Sequence, residues 1–200
     1  MGPLVVAAVL VEDDCLFREW GVKDSKQHKP EERERLSELI KAHSSWKMVI
    51  ITPGSIDDRK GSTSLNTLEI RAFASLLDDL KPHKAFVDAC DVNEVNFHRL
   101  LSRQTICKAE LVCEHKADEN YPVVSAASII AKVRRDEEMR LIREELGDVG
   151  SGYTSDPKTR AFLEKWIREK GDLPPHTRRS WATAREMLSV SKVSKLDDWD

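Results

Sequence analysis

The sequence predicts an α/β domain with a helical C-terminal cap, and three observations carry that expectation. Short runs rich in Val, Ile, Leu and Phe recur at 3–12, 47–53, 84–88 and 108–113. Between them lie longer segments whose apolar residues repeat with the period of a helix. After the fourth run no strand-like segment follows, and the rest of the chain reads as helices.

Taken in order, the run at 3–12 is the first strand; its apolar core, 4–11, is too short to cross a bilayer and lacks the basic flank of a secretion signal. A helix is predicted over 30–43, opened by Pro30 and the acids Glu31 and Glu32. The second strand, 47–53, leads to a helix over 64–80. The third, 84–88, ends on Asp88 and leads to a helix over 93–103, for which Asp91 is the expected cap. The fourth strand runs into His115-Lys116-Ala117-Asp118, and Pro122 starts a helix over 122–146. Two more helices are expected at 157–170, between Asp156-Pro157 and Gly171, and at 181–190. Residues 1–190 therefore make one domain and 191–200 a flexible tail.

Composition narrows the function classes. With 200 residues and 40% hydrophobic content the chain can bury one good core. A soluble, cytoplasmic, monomeric protein with no membrane segment is expected. Cysteines at 15, 90, 107 and 113 form no CxxC pair and read as buried thiols; Cys107, Cys113 and His115 lack the spacing of a recognised zinc site. A net charge of -3 argues against bulk electrostatic coating of nucleic acid. Locally the picture reverses, since residues 158–195 hold ten Lys or Arg against four acids, a net of +6. That is a phosphate footprint or a solvated helical surface, the two being equally open.

Asp88 closes an apolar strand, where α/β sheets place their ligands, and an acid among core residues must be paired, hydrogen-bonded or metal-bound. Asp118 also follows a strand. Two strand-end carboxylates suit a divalent ion bound to phosphate, because Mg²⁺ and Mn²⁺ prefer hard oxygen ligands. Acids serving helix dipoles are the equal alternative. On the helix from Pro122, Ser125, Ser128, Lys132 and Arg135 share one face, and Ile129, Ile130 and Val133 another. The first face offers hydroxyls and cations to a phosphodiester backbone; a plain solvated face would look similar.

The segments VKDSK (22–26), VDACDVN (87–93), HKADENYPVVSAASIIAKVRRD (115–136), GSGYTSDPKTR (150–160) and PPHTRRSW (174–181) closely resemble, in order and spacing, ribonuclease HII, particularly its archaeal members. The resemblance covers nearly the whole chain. It implies a ribonuclease H-like fold, a mixed sheet flanked by helices. It also implies an endonuclease that cuts the RNA strand of RNA–DNA hybrids and cuts 5′ of ribonucleotides embedded in duplex DNA. Asp88 and Asp118 match two of four family carboxylates that hold two Mg²⁺ or Mn²⁺ ions. Tyr153 matches the tyrosine that stacks near the sugar at the ribonucleotide–deoxyribonucleotide junction. Lys23, Lys26, Ser125, Lys132, Arg135 and Arg178 are the expected substrate contacts.

The chain departs from the family at its start, where a strand ending in Asp-Glu-Ala-Gly-Arg-Gly is expected and MGPLVVAAVL stands. A misassigned start or a fragment is the preferred explanation and a degenerate paralogue the second. As written, the chain lacks two of the four ligands, and a catalytically impaired or purely hybrid-binding protein is the alternative function. A junction resolvase of the same superfamily is a further rival. If the chain cuts efficiently, Asp24 or Asp136 is the nearest acid to complete the site. Residues 193–199, ending in Leu196-Asp197-Asp198-Trp199, resemble half of a sliding-clamp-binding peptide, with Val193 where a glutamine is usual.

Overall fold

The computed structural model describes residues 1–58 and 64–197, the last seven as backbone alone. All four predicted strands form: β1 (Leu4–Leu10), β2 (Ser45–Ile51), β3 (Lys84–Asp88) and β4 (Glu110–Glu114). Among the described residues they make two ladders, β1 with β2 and β3 with β4. The β3–β4 ladder is parallel and in a register that sets Asp88 opposite Glu114, so both strands end at the same level.

The six predicted helices are α2 (Pro30–Ala42), α4 (Leu65–Leu80), α5 (Glu94–Gln104), α7 (Pro122–Leu146), α8 (Pro157–Lys170) and α9 (Ala182–Asp197). Helix α9 runs to Asp197 rather than stopping at 190. Three short helices, α1 (Cys15–Glu19), α3 (Pro53–Asp57) and α6 (Ala117–Asn120), and a 3₁₀ turn at Ser25–Gln27 were not anticipated. Each is five residues or fewer, too short to show a hydrophobic period. Local chemistry still marks several boundaries. The Ser64 hydroxyl accepts from the Thr67 N–H at the start of α4, and Asp156 caps α8 ahead of Pro157, with Gly171 closing it at φ 75°. The cap of α5 is Asn93, whose side chain accepts from the Asn96 N–H at 2.8 Å. Asp91 lies two residues earlier and accepts from the Asn93 N–H at 3.1 Å, forming a turn rather than the cap.

The chain divides into two compact units. The larger comprises residues 5–50 and 61–134. One of its cores packs Phe17, Leu36 and Ile40 against Ile129 and Ile130 of α7, under Ala7 and Val9 of β1. The other packs Phe97 and Leu101 of α5 with Ile70 and Leu77 of α4 against Val87 of β3. Phe97 and Leu101 are fully buried, each contributing about 1.5–3 kcal/mol by removal from water. This second core is what holds the end of β3 in place. The smaller unit comprises residues 1–4, 51–60 and 135–200. It centres on Met139, Ile142 and Leu163, with Ile167, Leu173 and Ala184 forming an adjoining cluster.

Candidate functional site

In the larger unit the parallel ladder delivers Asp88 at the last position of β3, and the loop after β4 bends back over it. The bend is made at Lys116, whose φ of 56° puts a non-glycine residue in the left-handed region, a conformation that persists only where its surroundings hold it. Three contacts do so. The His115 N–H donates to the Glu94 carboxylate at 2.6 Å. The Ala117 N–H donates to Asp88 Oδ1 at 3.2 Å, tying one carboxylate to the residue beside the other. The Ser125 hydroxyl donates to the backbone carbonyl of Asp118. That carbonyl's ordinary helical partner would be the N–H four residues on, but position 122 is proline and has none. Ser125 supplies the donor that Pro122 lacks.

Asp118 is half-buried, and its carboxyl titrates above the ordinary aspartate range. Burial is the largest cause, followed by the negative charges of Asp88 and then Asp24, with Lys26 pulling the other way. A carboxylate held among like charges in this fashion gains from a cation beside it. Hard oxygen donors at one strand end fit Mg²⁺ or Mn²⁺, which complete their shells with water and phosphate. Among the described residues no group of three His, Cys, Asp or Glu is placed to hold a metal ion. Asp24 is the further acid that the fold brings near Asp118, its side chain accepting from the Lys26 N–H at 3.0 Å; Asp136 belongs to the other unit. The signal for Asp24 was its place in VKDSK, but nothing in that motif says which strand it will face.

The predicted substrate face of α7 splits. Ser125 is 2% exposed and braces Asp118 instead of facing solvent. Ser128 shares a 3.1 Å hydrogen bond with the hydroxyl of Ser25, which fixes the VKDSK turn to the helix. Lys23 and Lys26 on that turn are exposed, and Lys132 is half-buried. Among the described residues Cys107, Cys113 and His115 make no group placed to hold a metal ion; burial, with the charge of Glu94, pushes the Cys113 thiol up to about 11. Burial and neighbouring Glu69 likewise push Cys90 up to about 12. All four cysteines are free.

In the smaller unit Tyr153 stands on a glycine-flanked loop with 49% of its surface exposed. Arg135 is engaged beneath its ring, 4.1 Å from the centroid. Arg178 is likewise engaged within the unit, donating to the Gly2 carbonyl at 3.1 Å and lying 5.2 Å from the Trp181 ring centroid. Both arginines were expected on phosphate; here their guanidinium groups hold neighbouring backbone and aromatic rings.

The family model for ribonuclease HII matches residues 1–184. Ribonuclease HII of Pyrococcus furiosus is 45% identical over 200 residues, covering 98% of this chain and 88% of that protein. The crystal structure of ribonuclease H2 from Pyrococcus horikoshii superposes with a TM-score of 0.85 at 39% identity, over 96% of this chain and 94% of that one. The PCNA:RNase HII complex from Archaeoglobus fulgidus contains a chain with a TM-score of 0.86 at 41% identity, over 94% and 90% of the two chains.

Proposed function

The chain belongs to the ribonuclease HII family, hydrolases that cut the RNA strand of RNA–DNA hybrids, and we propose that it also cuts 5′ of single ribonucleotides embedded in duplex DNA by metal-assisted hydrolysis. The observation that carries the metal reading is the Asp88–Asp118 pair, brought to one strand end and mutually repelling. Asp88 and Asp118 are the residues that would hold divalent ions. When bound, such ions lower the pKa of an attacking water and stabilise the leaving 3′ oxygen.

The chain's own residues supply the rest. Ala117 and Ser125 fix where the two carboxylates stand, and the positive charge of Lys26 acts on Asp118. Lys23 and Lys26, both exposed, contact backbone phosphate, with Lys132 a third contact. Tyr153 offers an exposed aromatic face to the sugar, where the 2′-hydroxyl alone distinguishes RNA from DNA. The test is cleavage of a labelled duplex carrying one ribonucleotide, with Mn²⁺ or Mg²⁺, by the parent chain and by Asp88→Asn and Asp118→Asn. Loss of cutting with retained circular dichroism is expected; near-parental cutting by either variant would falsify the assignment.

The rival reading is binding of hybrid without cutting. It predicts an unchanged dissociation constant for the hybrid and no metal-dependent product. For a partner we extend to this chain what the Archaeoglobus relative displays, a complex with PCNA, and assign the contact to residues 193–199. Residues 198–200 lie outside the described residues. Deleting 191–200 should abolish capture by a sliding clamp in a pull-down; undiminished capture refutes the tail assignment. Among the described residues no helix is long and apolar enough to cross a membrane.

A further inference from the structure

The loop that presents Tyr153 is pinned almost atom by atom. The Gly150 carbonyl accepts from both Nε and Nη2 of Arg143, at 3.3 and 3.0 Å. The Gly150 N–H donates to Asp148 at 3.1 Å and the Ser151 N–H to Asp156 at 2.6 Å. The Gly152 N–H donates to the hydroxyl of Thr159 at 3.0 Å, and that hydroxyl donates in turn to the Val149 carbonyl at 2.9 Å. These bonds fix the backbone up to residue 152. They do not fix the Tyr153 side chain, which is half exposed.

Arg135 reaches both. Its Nη2 donates to the Ser151 carbonyl at 3.1 Å, and its guanidinium carbon lies 4.1 Å from the centre of the Tyr153 ring. The arginine side chain is only 12% exposed, so it is a covered plate under the ring and not a surface cation. A planar guanidinium can stack and donate at once; an ammonium keeps the charge but loses the plane and the second donor direction.

We propose that Arg135 is a positioning residue for ribonucleotide recognition: it stacks on one face of Tyr153, sets the attitude of the ring, and leaves the other face for the sugar at the junction. This rests on the assignment of Tyr153 given under Proposed function. It separates Arg135 from the phosphate contacts, because an arginine on phosphate would strengthen binding to all duplexes alike and Lys would largely replace it. A stacked positioning residue strengthens only the duplex that carries a ribonucleotide, and Lys does not replace it.

The experiment measures dissociation constants, by fluorescence anisotropy, for an all-DNA duplex and the same duplex with one ribonucleotide. The proteins are the full chain and its Arg135→Lys, Arg135→Gln and Tyr153→Ala variants. A second readout is ¹⁹F NMR with 3-fluorotyrosine, made simple because the chain has two tyrosines, Tyr121 and Tyr153, which Tyr121→Phe tells apart. Both Arg135 variants should weaken the ribonucleotide duplex about fivefold, leave the all-DNA duplex within about twofold, and shift the Tyr153 resonance. Equal weakening of both duplexes with rescue by Lys would make Arg135 a phosphate contact and overturn the proposal. Unchanged preference in both variants, or an unmoved resonance, overturns it too. If Tyr153→Ala keeps the full preference, the Tyr153 assignment itself falls; if only that variant loses preference, the failure belongs to Arg135 alone.

Discussion

Replacing Ser125 with alanine removes one buried oxygen and almost no volume, so its effect reports on a single hydrogen bond. That bond links α7 to the backbone of Asp118, and Pro122 leaves the Asp118 carbonyl without its helical partner. The loss is a hydrogen bond of about 0.5–1.5 kcal/mol together with part of the desolvation cost of an orphaned acceptor, about 1–3 kcal/mol in total. For a chain of 200 residues that corresponds to a melting temperature lower by about 3–10 °C. The backbone it releases carries Asp118, and loss of a group that orients a metal ligand lowers metal affinity by about 10–100-fold. Thermal unfolding followed by far-ultraviolet circular dichroism measures the first quantity, and Mn²⁺ titration calorimetry the second. Ser125→Cys, a weaker donor of similar shape, should fall between. If Ser125→Ala melts within about 1 °C of the parent and binds Mn²⁺ equally well, the hydroxyl does not brace the site, and its original expectation as a substrate contact returns.

Asp118 titrates higher in the folded chain than in the unfolded one, so its ionisation destabilises the fold as pH rises through that interval. Asp118→Asn should therefore raise the melting temperature of the metal-free protein at neutral pH, with the gain disappearing below about pH 4; a gain that grows on acidification refutes the raised titration, which burial causes first and the charge of Asp88 second. Thr159→Val should lower stability by about 2 kcal/mol in urea unfolding, because the buried hydroxyl both donates to Val149 and accepts from Gly152. Gly150→Ala should be worse, at about 2–4 kcal/mol: its φ is 70°, and an added Cβ would lie 2.6 Å from Asp156 Oδ2 and 2.8 Å from the Thr159 nitrogen. A soluble Gly150→Ala protein with parental stability would mean the loop is not pinned as described.

Among the described residues the four strands and six of the helices were legible in the sequence, because each rests on a local cause. Apolar runs with β-branched residues make the strands, and Asp156-Pro157 with Gly171 brackets α8 as clearly in the structure as in the chain. Asp88 was legible for the same reason, being an acid at the end of an apolar run. The short helix α6 was not, since four residues carry no period, and so the loop geometry around Asp118 was hidden. What only the tertiary structure decided is which partners the polar side chains find. Ser125 and Arg135 lie on a helix face that spacing alone leaves open to substrate, yet one points back to a carbonyl orphaned by Pro122 and the other slides under Tyr153. Hydrogen bonding and stacking of this kind depend on atoms from distant segments meeting at about 3–4 Å, and periodicity along the chain holds no record of that meeting. The sequence by itself determined that Asp88 would end a strand and that Asp118 would follow one; the fold set Asp118 on α6 and determined what holds it in place and which acid, Asp24, comes to stand near it.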